Sequence, residues 1–252
     1  MLVPVLRPLS LGEVLDTSFG LVRRLFVPLI IVSVATQTVP LALGVFVQSA
    51  GGVVAQPALW ALSVGLAVVL GAIGTAASTF LIAETYLGSS LTPQEAFLRS
   101  TPFMGRLIGA SLLVTLMVSL GSLLLLIPGV IAFCGLIVTP SAMVLEDIYG
   151  ATNAMGRSWA LTKGFRLKIF GAVLVAFLLL TIPGIALGAL AVTAASVLGE
   201  ETALLAMMLA VAVLQMLVYP FFYSLTTVIY YDLRVRKEGF DLEMLASSLQ
   251  PG

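Results

Sequence analysis

The sequence predicts an all-α, polytopic membrane helix bundle with six transmembrane spans and amphipathic interfacial helices on the cytoplasmic side. Three observations carry this. Of 252 residues, 60% are apolar and only 10% charged, with mean hydropathy +1.15, whereas a soluble domain holds about 45–50% apolar and about 25% charged residues. The uncharged runs 25–83, 107–145, 169–199 and 202–231 are long. All twelve Lys and Arg fall in alternate connections between them. This composition excludes a water-soluble enzyme, a nucleic-acid binder and a disordered chain.

A bilayer core about 30 Å thick needs about 20 apolar residues in a helix. The first run holds two spans, divided at Gln48–Gly52 and Gln56-Pro57. The second also holds two, with Ile127-Pro128-Gly129 as the expected turn. The last two hold one each. The predicted spans are 25–47, 58–83, 107–127, 130–146, 168–198 and 203–231. The fourth is short and contains Pro140, so a kink is expected there. A cytoplasmic tail is expected over 232–252. The first apolar run exceeds the 7–15 residues of a signal-peptide core, so it reads as a retained span.

Arg7, Arg23 and Arg24 precede span one, and Arg99 and Arg106 separate spans two and three. Arg157, Lys163, Arg166 and Lys168 separate four and five; Arg234, Arg236 and Lys237 follow six. The opposite loops carry only Glu200 and Glu201. The positive-inside rule then places both termini and both longer loops in the cytoplasm.

The cytoplasmic segments 10–24, 92–105 and 150–165 read as interfacial helices. Leu11, Val14, Leu15, Ser18, Phe19, Val22, Leu25 and Phe26 form one helical stripe. Ala96, Phe97, Phe103, Met104 and Leu107 form a second. Ala154, Met155, Ser158, Trp159, Thr162 and Phe165 form the third. Ser10/Glu13 and Thr92/Glu95 have capping-box spacing. Glu13 precedes Arg24 by eleven residues, as Glu95 precedes Arg106, and Arg157-Ser158 echoes Arg99-Ser100. The chain reads as three parallel units, each an interfacial helix followed by a transmembrane hairpin. The alternative, chance self-similarity among short basic loops, stays open at this point.

Three stretches carry a family resemblance: Arg7-Pro-Leu-Ser-Leu-Gly-Glu-Val-Leu-Asp16, then Ile127-Pro-Gly129 with Val144-Leu-Glu146 and Arg157-Ser-Trp159, and lastly Tyr230-Tyr-Asp-Leu-Arg234 with Glu238-Gly-Phe-Asp241. Together they resemble the membrane domain of bacterial glycerophosphoryl diester phosphodiesterases. The resemblance implies a stand-alone membrane domain acting with a partner or a lipid. The hydrolytic domain of such enzymes depends on histidines and a carboxylate-bound metal, and this sequence has no histidine. The phosphodiesterase activity is therefore not carried over.

Without histidine, Ser–His and Cys–His catalysis are excluded. Glu146-Asp147 and Glu200-Glu201 read as solvated helix ends, and Cys134 as a small packed hydrophobe. No catalytic residue, metal site or cofactor is expected. Gln37 and Gln215 read as hydrogen bonds between helices, with substrate contact as the alternative. Tyr230 and Tyr231 read as an interfacial aromatic belt. Gly105/Gly109 and Gly184/Gly188 have small-xxx-small spacing, read as packing within the chain, with a homo-oligomer seam as the alternative.

The remaining candidates are Arg23, Arg24, Arg106, Arg157, Trp159, Lys163, Arg166, Lys168 and Arg234. They read as a basic collar that binds anionic lipid or a membrane or cytoplasmic protein partner, against a role in setting topology alone. Near an anionic surface each cation gains about 1 kcal/mol. The expected function is a non-enzymatic membrane scaffold or accessory subunit. The alternative is a permease or carrier of lipid or lipophilic small molecules.

Overall fold

The computed structural model describes residues 7–242. Its helices are α1 (Leu11–Arg24), α2 (Phe26–Ser49), α3 (Gly52–Ala55), α4 (Pro57–Tyr86), α5 (Pro93–Ser100), α6 (Met104–Leu124), α7 (Leu126–Leu136), α8 (Thr139–Leu145), α9 (Ala151–Thr162), α10 (Arg166–Leu198) and α11 (Glu200–Glu238), with a 3₁₀ turn (Thr101–Phe103) leading into α6. Six segments are long and apolar enough to cross a bilayer: Phe26–Ser49, Pro57–Tyr86, Pro93–Leu124, Leu126–Leu145, Arg166–Ala195 and Thr202–Glu238. The protein is an all-α polytopic membrane bundle.

The helices pair into three hairpins, α2/α4, α6/α7–α8 and α10/α11, each preceded by a short helix, α1, α5 or α9. Both predicted capping boxes form, Ser10 with Glu13 and Thr92 with Glu95, satisfying amides that a helix start leaves free. Counting from the caps Ser10, Thr92 and Gly150, the fourth residue is Val14, Ala96 or Ala154 and the eighth is Ser18, Ser100 or Ser158. All six are essentially inaccessible. Each short helix packs on the last helix of the hairpin before it: α5 on α4, α9 on α8, and α1 on α11. The third pairing joins the two ends of the chain and closes a ring of three units.

Helix α1 runs antiparallel along α11. The Leu9 amide meets Asp232, the Ser224 hydroxyl donates to the Ser18 carbonyl at 3.0 Å, and Phe19 meets Phe221 edge-on at 5.8 Å. Val14, Ser18 and Leu25 of its stripe are therefore buried against protein, whereas Phe19 and Phe26 are exposed.

The fourth span is broken, between α7 and α8, as Pro140 led one to expect. Proline has no N–H to return to the Leu136 carbonyl, and Thr139 Oγ1 donates to that carbonyl instead, at 2.6 Å. The neighbouring Gly135 carbonyl accepts from Ser158 Oγ at 2.9 Å and Thr162 Oγ1 at 3.1 Å, both on α9. In an apolar medium an unpaired carbonyl is costly, so α9 hydroxyls make the break tolerable.

Several expectations need correction. The turn of the second hairpin lies at Leu125, whose backbone is extended, and not at Ile127-Pro128-Gly129. Pro128 sits in the first turn of α7, where its missing N–H costs nothing. Gly129 serves packing: a Cβ there would fall 2.8 Å from Ser122 Cα on α6. A methyl group at Gly105, Gly109, Gly184 or Gly188 would meet no atom of another described element within 4 Å, so among the described residues these glycines serve no close packing. The tail does not begin at 232, because α11 continues to Glu238 and ends at Gly239, whose φ of 63° suits glycine. Residues 243–252 of that expected tail lie outside the described residues. Tyr230 and Tyr231 are buried rather than belted around the surface, and each stacks on another aromatic ring.

The hairpins also differ at their far ends. The tip of the second, Leu123–Ile127, is wholly apolar and 69–84% exposed. The other tips carry Gln48 and Gln56, or Glu200 and Glu201. Helix α6, at 21 residues, is about 31 Å long, while α4, at 30, is about 45 Å.

Candidate functional site at the charged end

All twelve Lys and Arg gather at the end of the bundle where α1, α5 and α9 lie. One buried carboxylate, Asp232, and one arginine, Arg157, organise them.

Asp232, on α11, is 3% exposed. Its Oδ1 accepts from the Leu9 backbone N–H at 2.7 Å, and its Oδ2 from Lys168 Nζ at 2.6 Å. Arg236 Nε, one turn on, reaches both oxygens at 3.0–3.1 Å. Lys168 also donates to the Leu9 carbonyl at 2.6 Å, as does Arg236 Nη2. The segment ahead of α1 is thus fastened to the start of α10 and the end of α11. A buried carboxylate is costly unless paired and hydrogen-bonded, and here both oxygens are satisfied by two cations and one amide.

The second group centres on Arg157 of α9. Its guanidinium grips Glu146, at the end of α8, through Nε to Oε2 at 2.8 Å and Nη2 to Oε1 at 2.9 Å. It also donates to Glu238 Oε2 at 2.9 Å, which in turn accepts from Arg234 Nε at 3.0 Å. Tyr230 Oη donates to Glu146 Oε1 at 2.8 Å. The forked geometry is the one arginine supplies and lysine cannot. Hydrogen bonds from its guanidinium to Glu238 and then Glu146 hold the Arg157 pKa above its ordinary value.

The ring repeats this chemistry. Glu84 ends α4 and accepts from Arg99 of α5 at 2.7 Å, as Glu146 ends α8 and accepts from Arg157 of α9. Arg99 and Arg157 each stand seven residues past their helix cap. The equivalent position in α1 is Thr17, which has no charge. Asp232, in the matching place on α11, instead takes the amide of Leu9 just ahead of α1.

At the periphery, Arg106 pairs with Asp147 at 2.8 Å and lies 4.6 Å over the Phe103 ring. Arg7 hydrogen-bonds Glu13, and that contact with the Ser10 cap holds the Glu13 carboxyl down at about 2. The Trp159 ring lies so close to Gly135 that a Cβ there would fall 2.5 Å from it, and Arg166 sits 3.8 Å over its centroid.

The nine residues of the expected collar therefore divide. Arg106, Arg157, Lys168 and Arg234 are engaged in ion pairs. Among the described residues Arg23, Arg24 and Lys163 are exposed with no acid within ion-pair distance, and Arg166, whose Nε is buried without a hydrogen-bond partner, lies over the indole. Glu146, expected as a solvated helix end, is instead held by Arg157 and Tyr230, and the roles of Asp232 and Glu238 were missed from sequence. The i,i+4 pairs Asp232/Arg236 and Arg234/Glu238 were the available signal. Among the described residues, no group of three or more His, Cys, Asp or Glu could hold a metal ion.

Fold and site together define a multi-pass helical membrane protein whose three hairpins are tied at one end by ion pairs. Residues 98–233, more than half of the chain, match the family described as Domain of unknown function (DUF7847), and the protein belongs to that family. No curated protein and no solved structure matches it.

Proposed function

We propose that the protein is a non-enzymatic scaffold or accessory subunit of a bacterial inner membrane. Its charged end faces the cytoplasm and binds anionic lipid or a protein partner. The observation that carries the proposal is the division of the cations. Eight of them are held by acids or backbone carbonyls, and among the described residues Arg23, Arg24, Lys163 and Arg166, at the end of α1 and the α9–α10 connection, have no such partner. The twelve-to-none distribution of Lys and Arg between the two sides supports the orientation. The resemblance to glycerophosphoryl diester phosphodiesterase membrane domains supports a lipid-associated role without hydrolysis.

Trp159 reports on this directly, being 38% exposed beside Lys163 and Arg166. In a Trp60→Phe background reconstituted in bilayers, a quencher-labelled phosphatidylglycerol should quench Trp159 at least twofold more than the matching phosphatidylcholine. The difference should shrink at high salt, where surface charges are screened, and in Lys163→Gln. Equal quenching by both lipids at low salt would remove the lipid reading and leave a protein partner.

A carrier for lipid or lipophilic molecules is the second reading. It is favoured by a cavity of about 220 Å³ between α2, α4 and α11.

A further inference from the structure

Two carboxamides lie deep within the spans, Gln37 and Gln215, and both line that one cavity, with Pro40, Ser63, Ala67 and Met216 among its walls. Gln37 sits near the middle of α2, about 16 Å along from Phe26, and Gln215 lies about 25 Å from Asp232 along α11. Among the described residues neither amide has a protein hydrogen-bond partner, contrary to the expectation that they bridge helices. A carboxamide left unpaired in an apolar medium costs several kcal/mol, so two facing one cavity call for an occupant that hydrogen-bonds. Pro40 lines the same space, and Pro220 stands one turn past its lining residue Met216. Pro40 has no N–H for the Thr36 carbonyl, and Pro220 has none for that of Met216. The cavity thus offers amide donors, and its lining residue Met216 has a backbone carbonyl without a helical partner.

The lining contains no ionisable residue, which disfavours a charged headgroup, since nothing there would compensate it. At about 220 Å³ it is smaller than the about 300–1,000 Å³ of sites that enclose a drug-sized ligand. Val64 and Gln215, both exposed, place its mouth on the side of the bundle, where the bilayer lies. From these features together we infer that the cavity binds the uncharged glycerol-ester portion of a neutral glycerolipid, whose acyl chains remain in the membrane. The site requires neither transport nor the basic rim, and shares no residue with that rim.

The test uses the full chain in detergent micelles doped with 1,2-dioleoylglycerol, read by native mass spectrometry, with phosphatidylglycerol and soluble glycerol as separate arms. Retention of dioleoylglycerol should fall at least fivefold in Gln37→Leu/Gln215→Leu, while phosphatidylglycerol retention is unchanged. Ala67→Leu, which narrows the cavity and leaves both amides in place, should give the same fall and guards against a double variant that fails to assemble. Undiminished dioleoylglycerol retention in both variants would overturn the inference. So would displacement of the lipid by soluble glycerol, which would make the site one for a free polyol. Lys163→Gln should leave dioleoylglycerol retention as it is, so that failure of the rim proposal and failure of this one are told apart.

Discussion

The Leu9 amide donates to Asp232 across 223 residues of sequence, so the last span holds the segment that enters the first short helix. Glu84 and Glu146 make the corresponding contacts to helices that follow them directly. What looks like a local helix-end pairing in two units is, in the third, the closure of the bundle.

Removing Asp232 should therefore cost far more than removing its counterpart at the rim. Asp232→Ala leaves Lys168 and Arg236 without their acid, and breaking a buried pair costs about 3–5 kcal/mol. Arg99→Gln breaks a pair whose arginine is 53% exposed, worth about 0–1 kcal/mol. Thermal unfolding in mild detergent separates the two: a large fall in Tm for the first and almost none for the second. Equal effects would mean that Asp232 does not close the ring.

Glycines divide in the same way. Gly135→Ala puts a methyl into the Trp159 ring and should cost about 1–3 kcal/mol through overpacking, with a shift in Trp159 emission. Gly109→Ala meets nothing. There the gain in helix propensity, up to about 1 kcal/mol, should leave stability equal or higher. The same unfolding assay reads both.

Acid should loosen α1 first. The Glu13 carboxyl is held at about 2 in the fold, against an ordinary 4.5, by Arg7 and the Ser10 cap. Because the folded value is the lower one, its contribution is fully present above pH 4.5. It is lost as the pH falls from 4.5 towards 2. Hydrogen exchange in the first turn of α1 should rise across that window, and Glu13→Gln should show the raised rate already at neutral pH.

Cysteine labelling tests the topology. In a Cys134→Ala background, cysteines at Ser49 and Gly199 should react with an impermeant maleimide from outside, and one at Ser248 should not. A cysteine at Leu125 should resist the reagent as well, because that tip is wholly apolar and belongs to the shortest hairpin. Labelling at Ser248 in intact cells would invert the orientation.

The spans and caps were legible because hydropathy and capping are properties of neighbouring residues. Ser10/Glu13 and Thr92/Glu95 announce helix starts wherever the helices are later packed. Partners were not legible. Nothing within reach of Asp232 in sequence points to Leu9 or Lys168, because their meeting depends on how α1, α10 and α11 are set side by side. Ile127-Pro128-Gly129 was misread since proline suits a helix's first turn as well as a loop. Tyr230 and Tyr231 were misread for a similar reason: a ring with a polar tip fits both a membrane surface and a buried bond to Glu146. The collar was seen as charge alone, and its acids decide which cations remain free.

That division is tested most directly by two triple variants of equal charge. Arg23→Gln/Arg24→Gln/Lys163→Gln removes cations without acid partners among the described residues, and Arg106→Gln/Arg157→Gln/Lys168→Gln removes cations that have them. Native mass spectrometry of retained phosphatidylglycerol, run beside thermal unfolding, reads both. The first variant should lose most of the bound phosphatidylglycerol and keep the parent Tm; the second should unfold at a lower temperature and, below it, keep the lipid. Retention of the parent's lipid by the first variant, or loss of lipid by the second at unchanged Tm, would contradict the account.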